Sequence, residues 1–318
     1  ALPEIEDLCF LEVPRVFSLK GSVVTPAMML ELSRAVQRVL IRPEVSGVVV
    51  TQPADNIEET AYFVSISLSD VFQNQNSKPI VFTTCMNPED PMFDGTKNLL
   101  DSIRVACHDV KGDIPTVVVC MNGEIHAASR AQLTHTNKAS ALASPGWGPV
   151  GYVDRDNVYF RCGALELDTG LNFPMLKKLT AKVPVVKAMC GDDGALLEMV
   201  LEKEPDAIII EGFGRGNLPA GMMPAIKKAV KNGIFIVIST RASSGRVLDS
   251  TVFPGSVAQC LECGCLLAGE TTTAKARLLL MYVLSQKEAI QLKKEDPERF
   301  FAYVQECLDP VLTNRLFG

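Results

Sequence analysis

The chain has 318 residues, of which 47% are hydrophobic and 21% charged, and these values predict a globular protein of one large or two medium domains. The net charge of −6 and the lack of Lys/Arg runs interleaved with aromatic residues argue against a nucleic-acid surface. No apolar segment reaches the roughly 18–20 residues that a membrane span needs. We therefore expect neither a nucleic-acid partner nor a membrane partner.

The ten cysteines are scattered through apolar segments, which is typical of reduced core residues rather than of a disulfide framework. The first residues, ALPEIEDLCFLEVP, lack the basic start and the apolar stretch of a secretory signal. Both features predict a cytoplasmic protein. The chain begins without a methionine, which leaves open the removal of an upstream segment.

The first half of the chain alternates predicted strands and helices. Residues 5–17 alternate enough to predict a strand, and Thr25-Pro26 opens a helix through Ala27–Leu40 with Thr25 as its N-cap. Further elements are predicted as strand 46–51, helix 57–72, strand 80–84, helix 95–108, strand 115–120 and a hairpin over Gly151–Phe160. This rhythm is typical of a parallel sheet with right-handed crossovers.

Periodicity fades over Gly163–Thr180, and we place a domain boundary near residue 170. The second half repeats the rhythm of the first. Its predicted strands are 184–189, 207–211 and 234–239, and its predicted helices are 194–202, 220–231, 255–263 and 272–285, followed by helical spacing over Lys287–Leu316. The predicted domains are therefore 1–170 and 171–318.

The stretch from Val48 to Ala61, VVVTQPADNIEETA, joins a buried strand to a helix through a short turn. Ligands of doubly wound sheets bind outside the carboxyl ends of strands and at helix N-termini. This turn is therefore the place where we expect the functional site.

The sequence of that turn, TQPADNIEETA, resembles the THGTDTMEETA signature of bacterial-type L-asparaginases. Other blocks resemble the family in the same order, among them VVVCMNGEIHAA, SPGWGPVGYVDRDNVYF and GETTTAKARLLLMYVL. The resemblance implies a two-domain α/β fold without a cofactor. Its larger N-terminal domain would have a doubly wound, mainly parallel sheet that lacks its first strand, and its C-terminal domain would be smaller. It also implies a homo-oligomer, a dimer or a tetramer, with active sites shared between subunits.

Hydrolysis of an amide by a hydroxyl needs a nucleophile, a proton acceptor and donors for the developing oxyanion. The family supplies two threonines, an aspartate and a lysine. Here the glycine-rich turn of the first threonine is absent, Ala54 stands at the second threonine, and Leu133 stands at the lysine. Losing one member of such a unit commonly costs several orders of magnitude in rate. The chemistry of the family is therefore predicted to be lost.

Four residues remain candidates for binding a small amino-acid-like ligand. Asp55 retains the aspartate of the family, while Gln52 replaces its histidine and Ser22 lies in the aligned substrate loop, which reads Lys20-Gly21-Ser22. Asn217 retains the residue type of a turn that the family lends to a neighbouring active site. The alternative for Asp55 is a helix N-cap, with Asn56 beside it.

We predict an asparaginase-family protein that has lost amidohydrolase activity and acts as a binding or assembly subunit. A protein partner that completes the N-terminal sheet is one form of this prediction, because an unpaired strand edge accepts another chain. The alternative is an active amidohydrolase with a rewired nucleophile, or with a threonine supplied from outside this chain.

Cys260-x-x-Cys263-x-Cys265 is the one cluster with the spacing of a metal site, and Cys307 or Cys162 would be its fourth ligand. The segment aligns with an apolar passage of the family, so core packing is the interpretation we adopt, and no metal is predicted.

A Cys–His or Ser–His mechanism that uses Cys85 or Ser22 also stays open, because such partners meet in space.

Overall fold

The computed structural model of the chain describes residues 3–18, 21–74, 78–86, 94–108, 116–161, 172–248 and 251–309. It divides into two compact units, Ala1–Met175 and Leu176–Gly318. The predicted boundary at residue 170 lies outside the described residues, and so do Cys162, Lys20 and the end of the last predicted helix. Among the described helices, none has both the length and the apolar character of a membrane-spanning segment.

The first unit contains a six-stranded mixed sheet in the order β1-β2-β3-β4-β7-β8. Strands β1 to β3 are parallel, and β4, β7 and β8 join antiparallel. The strands are β1 (Val48–Thr51), β2 (Ile80–Thr83), β3 (Val117–Met121), β4 (Glu124–Ala127), β7 (Gly151–Asp154) and β8 (Asn157–Phe160), with a separate short pair, β5 (Gln132–Leu133) and β6 (Leu142–Ala143). The helices are α1 (Pro3–Glu6), α2 (Pro26–Leu40), α3 (Ile57–Ser67), α4 (Ser69–Asn74) and α5 (Gly95–Cys107).

Helices cover both faces of this sheet. Successive side chains of a strand point to opposite faces, so each strand contributes to a core on either side. Phe82 and Val119 face α2 and α3, whereas Val81 and Val118 face α5. All four side chains are almost fully buried. Burial of each contributes roughly 1.5–3 kcal/mol, so the two faces together hold β1 to β3 between helical layers.

Local signals explain where α2 begins and ends. The hydroxyl of Thr25 accepts from Met28 N at 3.3 Å and Pro26 is the first helical residue, as predicted. At the other end the Lys78 ammonium donates to the carbonyl of Leu40 at 2.9 Å. A lysine just before β2 therefore satisfies a terminal carbonyl that the helix leaves unpaired.

The predicted strand over residues 5–17 is wrong. Residues 3–6 form α1, and residues 9–18 form neither a helix nor a strand. The apolar alternation exists, but its side chains face solvent, with Phe10 93% and Val13 82% exposed. A forked ion pair from Glu12 to Arg42, at 2.7 and 2.9 Å, holds this segment instead of strand pairing.

The predicted helix 57–72 is divided at Leu68, which ends α3 in a non-helical conformation. The Ser69 hydroxyl donates back to the carbonyl of Ile66 at 2.9 Å, so the chain turns before α4 begins. The predicted hairpin over Gly151–Phe160 is confirmed as β7 and β8.

The second unit is built on a smaller, fully parallel sheet in the order β12-β11-β10-β9. Its strands are β9 (Val185–Lys187), β10 (Ala207–Gly212), β11 (Phe235–Thr240) and β12 (Leu266–Leu267). Its helices are α6 (Ala195–Leu201), α7 (Met223–Lys231), α8 (Val257–Glu262), α9 (Thr273–Val283), α10 (Lys287–Glu295) and α11 (Pro297–Leu308). Helices α6, α7 and α8 share one hydrophobic core with two isoleucines of β10 and two of β11, namely Ile208, Ile210, Ile236 and Ile238. The predicted two-domain α/β architecture is thus confirmed.

Candidate functional site

Three separate segments of the first unit meet beside the carboxyl end of β1. They are a 3-10 turn over Gly21–Val23, the turn and first helical residues 52–60, and Leu133 of β5, and we call them the β1 site. The 3-10 turn contacts a second one over Ala54–Asn56. The N–H of Leu133 donates to Glu58 Oε2 at 2.5 Å. The structure therefore brings the segments of Ser22, Asp55 and Leu133 together at the carboxyl end of β1, the end of a parallel strand where ligands of such sheets bind.

The turn itself is held by Gln52. Its main-chain N–H donates to Thr83 O at 3.2 Å, which extends the pairing of β1 with β2 by one residue. Its side-chain amide donates to Asn56 Oδ1 at 3.3 Å and to Thr60 Oγ1 at 3.2 Å. The amide of Gln52 therefore ties the turn to the first turn of α3.

Asp55 lies at the exposed tip of this turn. Asn56, not Asp55, is the N-cap residue of α3, and its side chain makes no capping hydrogen bond. Within the described part of the chain, the Asp55 carboxylate makes no hydrogen bond or ion pair. The alternative role of Asp55 as a helix cap is therefore not what the structure shows, and its carboxylate faces solvent.

Ala54 precedes Asp55 in the 3-10 turn, and Leu133 reaches the β1 site through its main-chain bond to Glu58. Ala54 is half-buried in the 3-10 turn, and Leu133 is half-buried in β5. Neither a methyl nor an isobutyl group attacks a carbonyl or transfers a proton. The Glu58 carboxylate reaches this place from α3, but its Oε2 already accepts from the main chain of Leu133.

Glu58, which the sequence analysis does not single out, connects α3 to β5. Its position in the first turn of a helix gave no signal of a partner 75 residues away. Thr60 was also missed, and its hydroxyl donates to the carbonyl of Asn56 at 3.1 Å while it accepts from Gln52. Only the folded chain brings these groups together.

The other two predicted binding residues differ in their surroundings. Ser22 is exposed in its 3-10 turn and belongs to the β1 site. Asn217 lies in the second unit, where its Oδ1 accepts from the N–H of Val257 at 3.1 Å. That bond joins the loop after β10 to the first residue of α8, so the amide of Asn217 has a structural task in its own unit.

The cysteine cluster packs inside the second unit. Cys260 and Cys265 are buried and Cys263 is half-buried. The Cys260 sulfur, together with burial, raises the pKa of Cys265 well above its usual value, and the same contact lowers the pKa of Cys260. In the described ranges, no group of three or more His, Cys, Asp or Glu residues is arranged to hold a metal ion.

A buried histidine pairs with a serine in the first unit. His126 Nδ1 lies 3.0 Å from Ser144 Oγ, and its Nε2 lies 3.4 Å from Glu124 Oε2. Burial lowers the pKa of His126, and the nearby Glu124 carboxylate partly opposes that shift. Among the described residues, the histidine that bonds to a serine side chain is His126, its partner is Ser144 rather than Ser22, and both side chains are buried.

Comparison with known proteins supports the same architecture. Residues 1–164 match the family model described as Asparaginase, N-terminal, and residues 182–295 match the Glutaminase/Asparaginase C-terminal domain. A crystal structure of a probable cytoplasmic L-asparaginase from Campylobacter jejuni superposes with a TM-score of 0.81, covering 96% of this chain and 91% of that one. At 24% identity this likeness shows the fold.

Sequence relatives extend over most of the chain. An L-asparaginase of Bacillus licheniformis is 30% identical over 300 residues, which cover 92% of this chain and 89% of the relative. A subunit of the glutamyl-tRNA(Gln) amidotransferase of Methanosarcina mazei is 26% identical over 300 residues, covering 92% of this chain and 68% of that protein. Two family models together with these relatives leave one conclusion: the chain belongs to the asparaginase family.

Proposed function

We propose that this chain does not hydrolyse amides by the threonine mechanism of its family and acts as a binding or assembly subunit. The observation that carries the proposal is the pair of aliphatic side chains, Ala54 and Leu133, beside the carboxyl end of β1. The resemblance puts a proton-transferring group at each of these positions. Loss of one such group commonly lowers the rate by several orders of magnitude.

The binding part of the proposal rests on Asp55 and Ser22. Both side chains are exposed at the β1 site, and the Asp55 carboxylate has no partner within the described residues. A carboxylate at this place suits the ammonium group of an amino-acid-like ligand, and a hydroxyl suits its polar end. Asn217 remains a candidate from the second unit, although its amide oxygen already accepts from Val257.

The assembly part rests on the outer edge of β1. Among the described strands, β1 lies at one edge of its sheet. Its three valines are half-buried, whereas all four residues of β2 are buried. The N–H groups of Val48 and Gln52 point to β2, so by alternation the N–H of Thr51 points to the outer edge. A strand from a partner protein, or from a homo-oligomeric subunit, would pair there.

The name of one relative supports assembly, since the Methanosarcina mazei protein is a subunit of an amidotransferase. A cytoplasmic location accompanies the proposal. It is supported by the free thiols of all described cysteines and by the name of the Campylobacter jejuni protein, a probable cytoplasmic L-asparaginase.

The second candidate is an active amidohydrolase, which the names of the L-asparaginase relatives favour. Ammonia release from asparagine and glutamine by the native assembly separates the two. We expect no release above the uncatalysed rate, and the same result for Asp55→Ala. Turnover that Asp55→Ala abolishes would overturn the loss of activity and point to another nucleophile.

Ligand binding is tested by calorimetric titration with L-aspartate and L-asparagine. We expect binding to wild type that Asp55→Asn weakens by about tenfold or more, because a charge-assisted hydrogen bond contributes roughly 1.5–3 kcal/mol. Asp7→Asn, at an exposed carboxylate of the same unit, is the matched control. Equal affinity of the two variants would remove Asp55 from the site.

The outer edge of β1 is tested by Thr51→Pro. Proline removes the outward N–H while the hydrogen bonds of β1 to β2 remain, and Thr51→Ala keeps that N–H as the control. We expect the molar mass of the native assembly, measured by light scattering, to fall in Thr51→Pro only. An unchanged mass in both variants would show that β1 is not an assembly edge.

A further inference from the structure

Two cysteines of the first unit lie side by side although they are far apart in the chain, at Cys9 and Cys107. Cys9 follows α1 and Cys107 is the last residue of α5, and α1 packs against α5. The side chains of the two cysteines interact directly, and both are free thiols. The packing of α1 on α5 accompanies this contact.

The pair is accessible to a reagent in solution. Cys107 is exposed and Cys9 is partly exposed, unlike the buried Cys260 and Cys265. Cys107 also lines an open groove of about 320 Å³, together with Leu8 and Asn157. The open groove therefore leaves Cys107, and Leu8 next to Cys9, in contact with solvent.

We propose that Cys9 and Cys107 form a redox-active dithiol that a small-molecule disulfide, such as oxidised glutathione, converts reversibly to an intramolecular disulfide. The inference concerns a different part of the first unit and does not depend on the proposed function. A protein in a reducing compartment uses such a pair transiently, as a sensor, rather than as a permanent bridge.

The exchange proceeds in two balanced steps. The Cys9 thiolate attacks one sulfur of oxidised glutathione, which forms a mixed disulfide and releases one glutathione thiolate. The Cys107 thiol then loses its proton and attacks the Cys9 sulfur, which forms the Cys9–Cys107 bond and releases the second glutathione. Two electrons pass from the two thiols to the oxidant, and dithiothreitol reverses the sequence.

The order of the steps follows from the surroundings of the two sulfurs. Burial and the neighbouring Cys9 sulfur raise the pKa of Cys107 to about 11. The thiolate is the attacking form of a cysteine, so Cys107 is a slow first nucleophile. Its role is to resolve a mixed disulfide held beside it, where its proximity replaces a bimolecular encounter.

The bond would fasten the segment that follows α1. Residues 9–18 form neither helix nor strand, and the Glu12–Arg42 ion pair, with exposed side chains, is one of their attachments. A Cys9–Cys107 bond would add a covalent attachment at the first residue of this segment. Oxidation is therefore expected to slow chymotryptic cleavage after the exposed Phe10.

The experiment treats the full-length chain with oxidised glutathione and maps the products by mass spectrometry without reduction. We expect the thiols of Cys9 and Cys107 to be lost together, and a cross-linked peptide pair that contains both residues. In Cys107→Ser, Cys9 is expected to retain a glutathione adduct, because the resolving thiol is gone. The exposed Cys190 of the second unit provides the matched control, and Cys190→Ser is expected to leave the cross-link unchanged.

Two results would overturn the inference. One is glutathione adducts on both cysteines of the wild type without a cross-link, which would mean that the sulfurs cannot reach bonding geometry. The other is a cross-link of Cys9 to any cysteine other than Cys107 of the same chain. Circular dichroism of each serine variant checks that it is folded. If a variant is unfolded, the peptide map of the wild type alone decides the question.

Discussion

Gln305→Leu is expected to destabilise the second unit strongly. Gln305 lies in α11 and is 1% exposed. Its Oε1 accepts from the N–H of Leu267 at 2.9 Å, and its Nε2 donates to the carbonyl of the same residue at 3.0 Å. Because Leu267 belongs to β12, at the edge of its sheet, the amide of Gln305 replaces one residue of a further strand.

The size of the effect follows from the two groups left behind. Leucine keeps the bulk of the side chain but neither donates nor accepts, so one buried N–H and one buried C=O lose their partner. Each unsatisfied group costs about 1–3 kcal/mol, which puts the expected loss at about 2–6 kcal/mol. The larger apolar surface of leucine offsets a small part of this loss.

Urea unfolding monitored by circular dichroism measures the loss, and hydrogen exchange at the Leu267 amide reports it locally. The matched control is Gln291→Leu, because Gln291 bonds to Glu295 on the exposed surface and should change the free energy of unfolding by less than about 0.5 kcal/mol. If Gln305→Leu changes stability no more than Gln291→Leu and the Leu267 amide stays protected, the reasoning is refuted.

Three further predictions concern stability. Asn217→Ala removes the acceptor of the first N–H of α8 and should cost about 1–2 kcal/mol in urea unfolding, while Asn217→Asp retains an acceptor and serves as the control. Gly255→Ala should cost about 2–5 kcal/mol, because its φ of +87° is strained for alanine and the new Cβ would lie 2.1 Å from a main-chain oxygen. The control is Gly214→Ala, at a φ of +48° with no atom within 4 Å of its Cβ, which should cost about 1–2 kcal/mol. Equal losses of stability in the two variants would contradict a clash at Gly255. Burial lowers the pKa of His126 in the folded chain. On acidification the unfolded chain therefore takes up the proton first, near pH 6.5. The stabilising contribution of neutral His126, which is present above that pH, is lost as the pH falls further. Unfolding free energies should therefore fall by at most about 1.4 kcal/mol per pH unit below pH 6.5, and His126→Asn should flatten that slope.

Elements with local signals were predictable from the sequence. Thr25 and Pro26 mark the beginning of α2 because a hydroxyl cap and a proline at the first position act within one helical turn. The strand, turn and helix around Asp55 were predictable for a similar reason, since an apolar β-branched run and a helical repeat adjoin there, although the strand is half-buried rather than buried. The predicted strand at residues 5–17 failed because alternation describes side chains and does not supply a pairing partner.

The residue types at the β1 site also follow from the sequence alone. Ala54 and Leu133 lack a group that transfers a proton, and no folded arrangement supplies one to those two side chains. The position of Asp55 after an apolar strand likewise marks the carboxyl end of that strand as the candidate site. These statements depend on the chemistry of single residues and on short-range order.

Tertiary structure decided which distant groups meet. The hydrogen bond from Leu133 to Glu58 and the pairing of Gln305 with Leu267 join residues far apart in the chain. The contact between Cys9 and Cys107 arises in the same way, from the packing of α1 on α5. Side-chain contacts of this kind have no periodicity or local motif, because they result from the burial of whole elements against one another. The sequence by itself therefore determined the elements and the chemistry of each residue, and only the fold determined their partners.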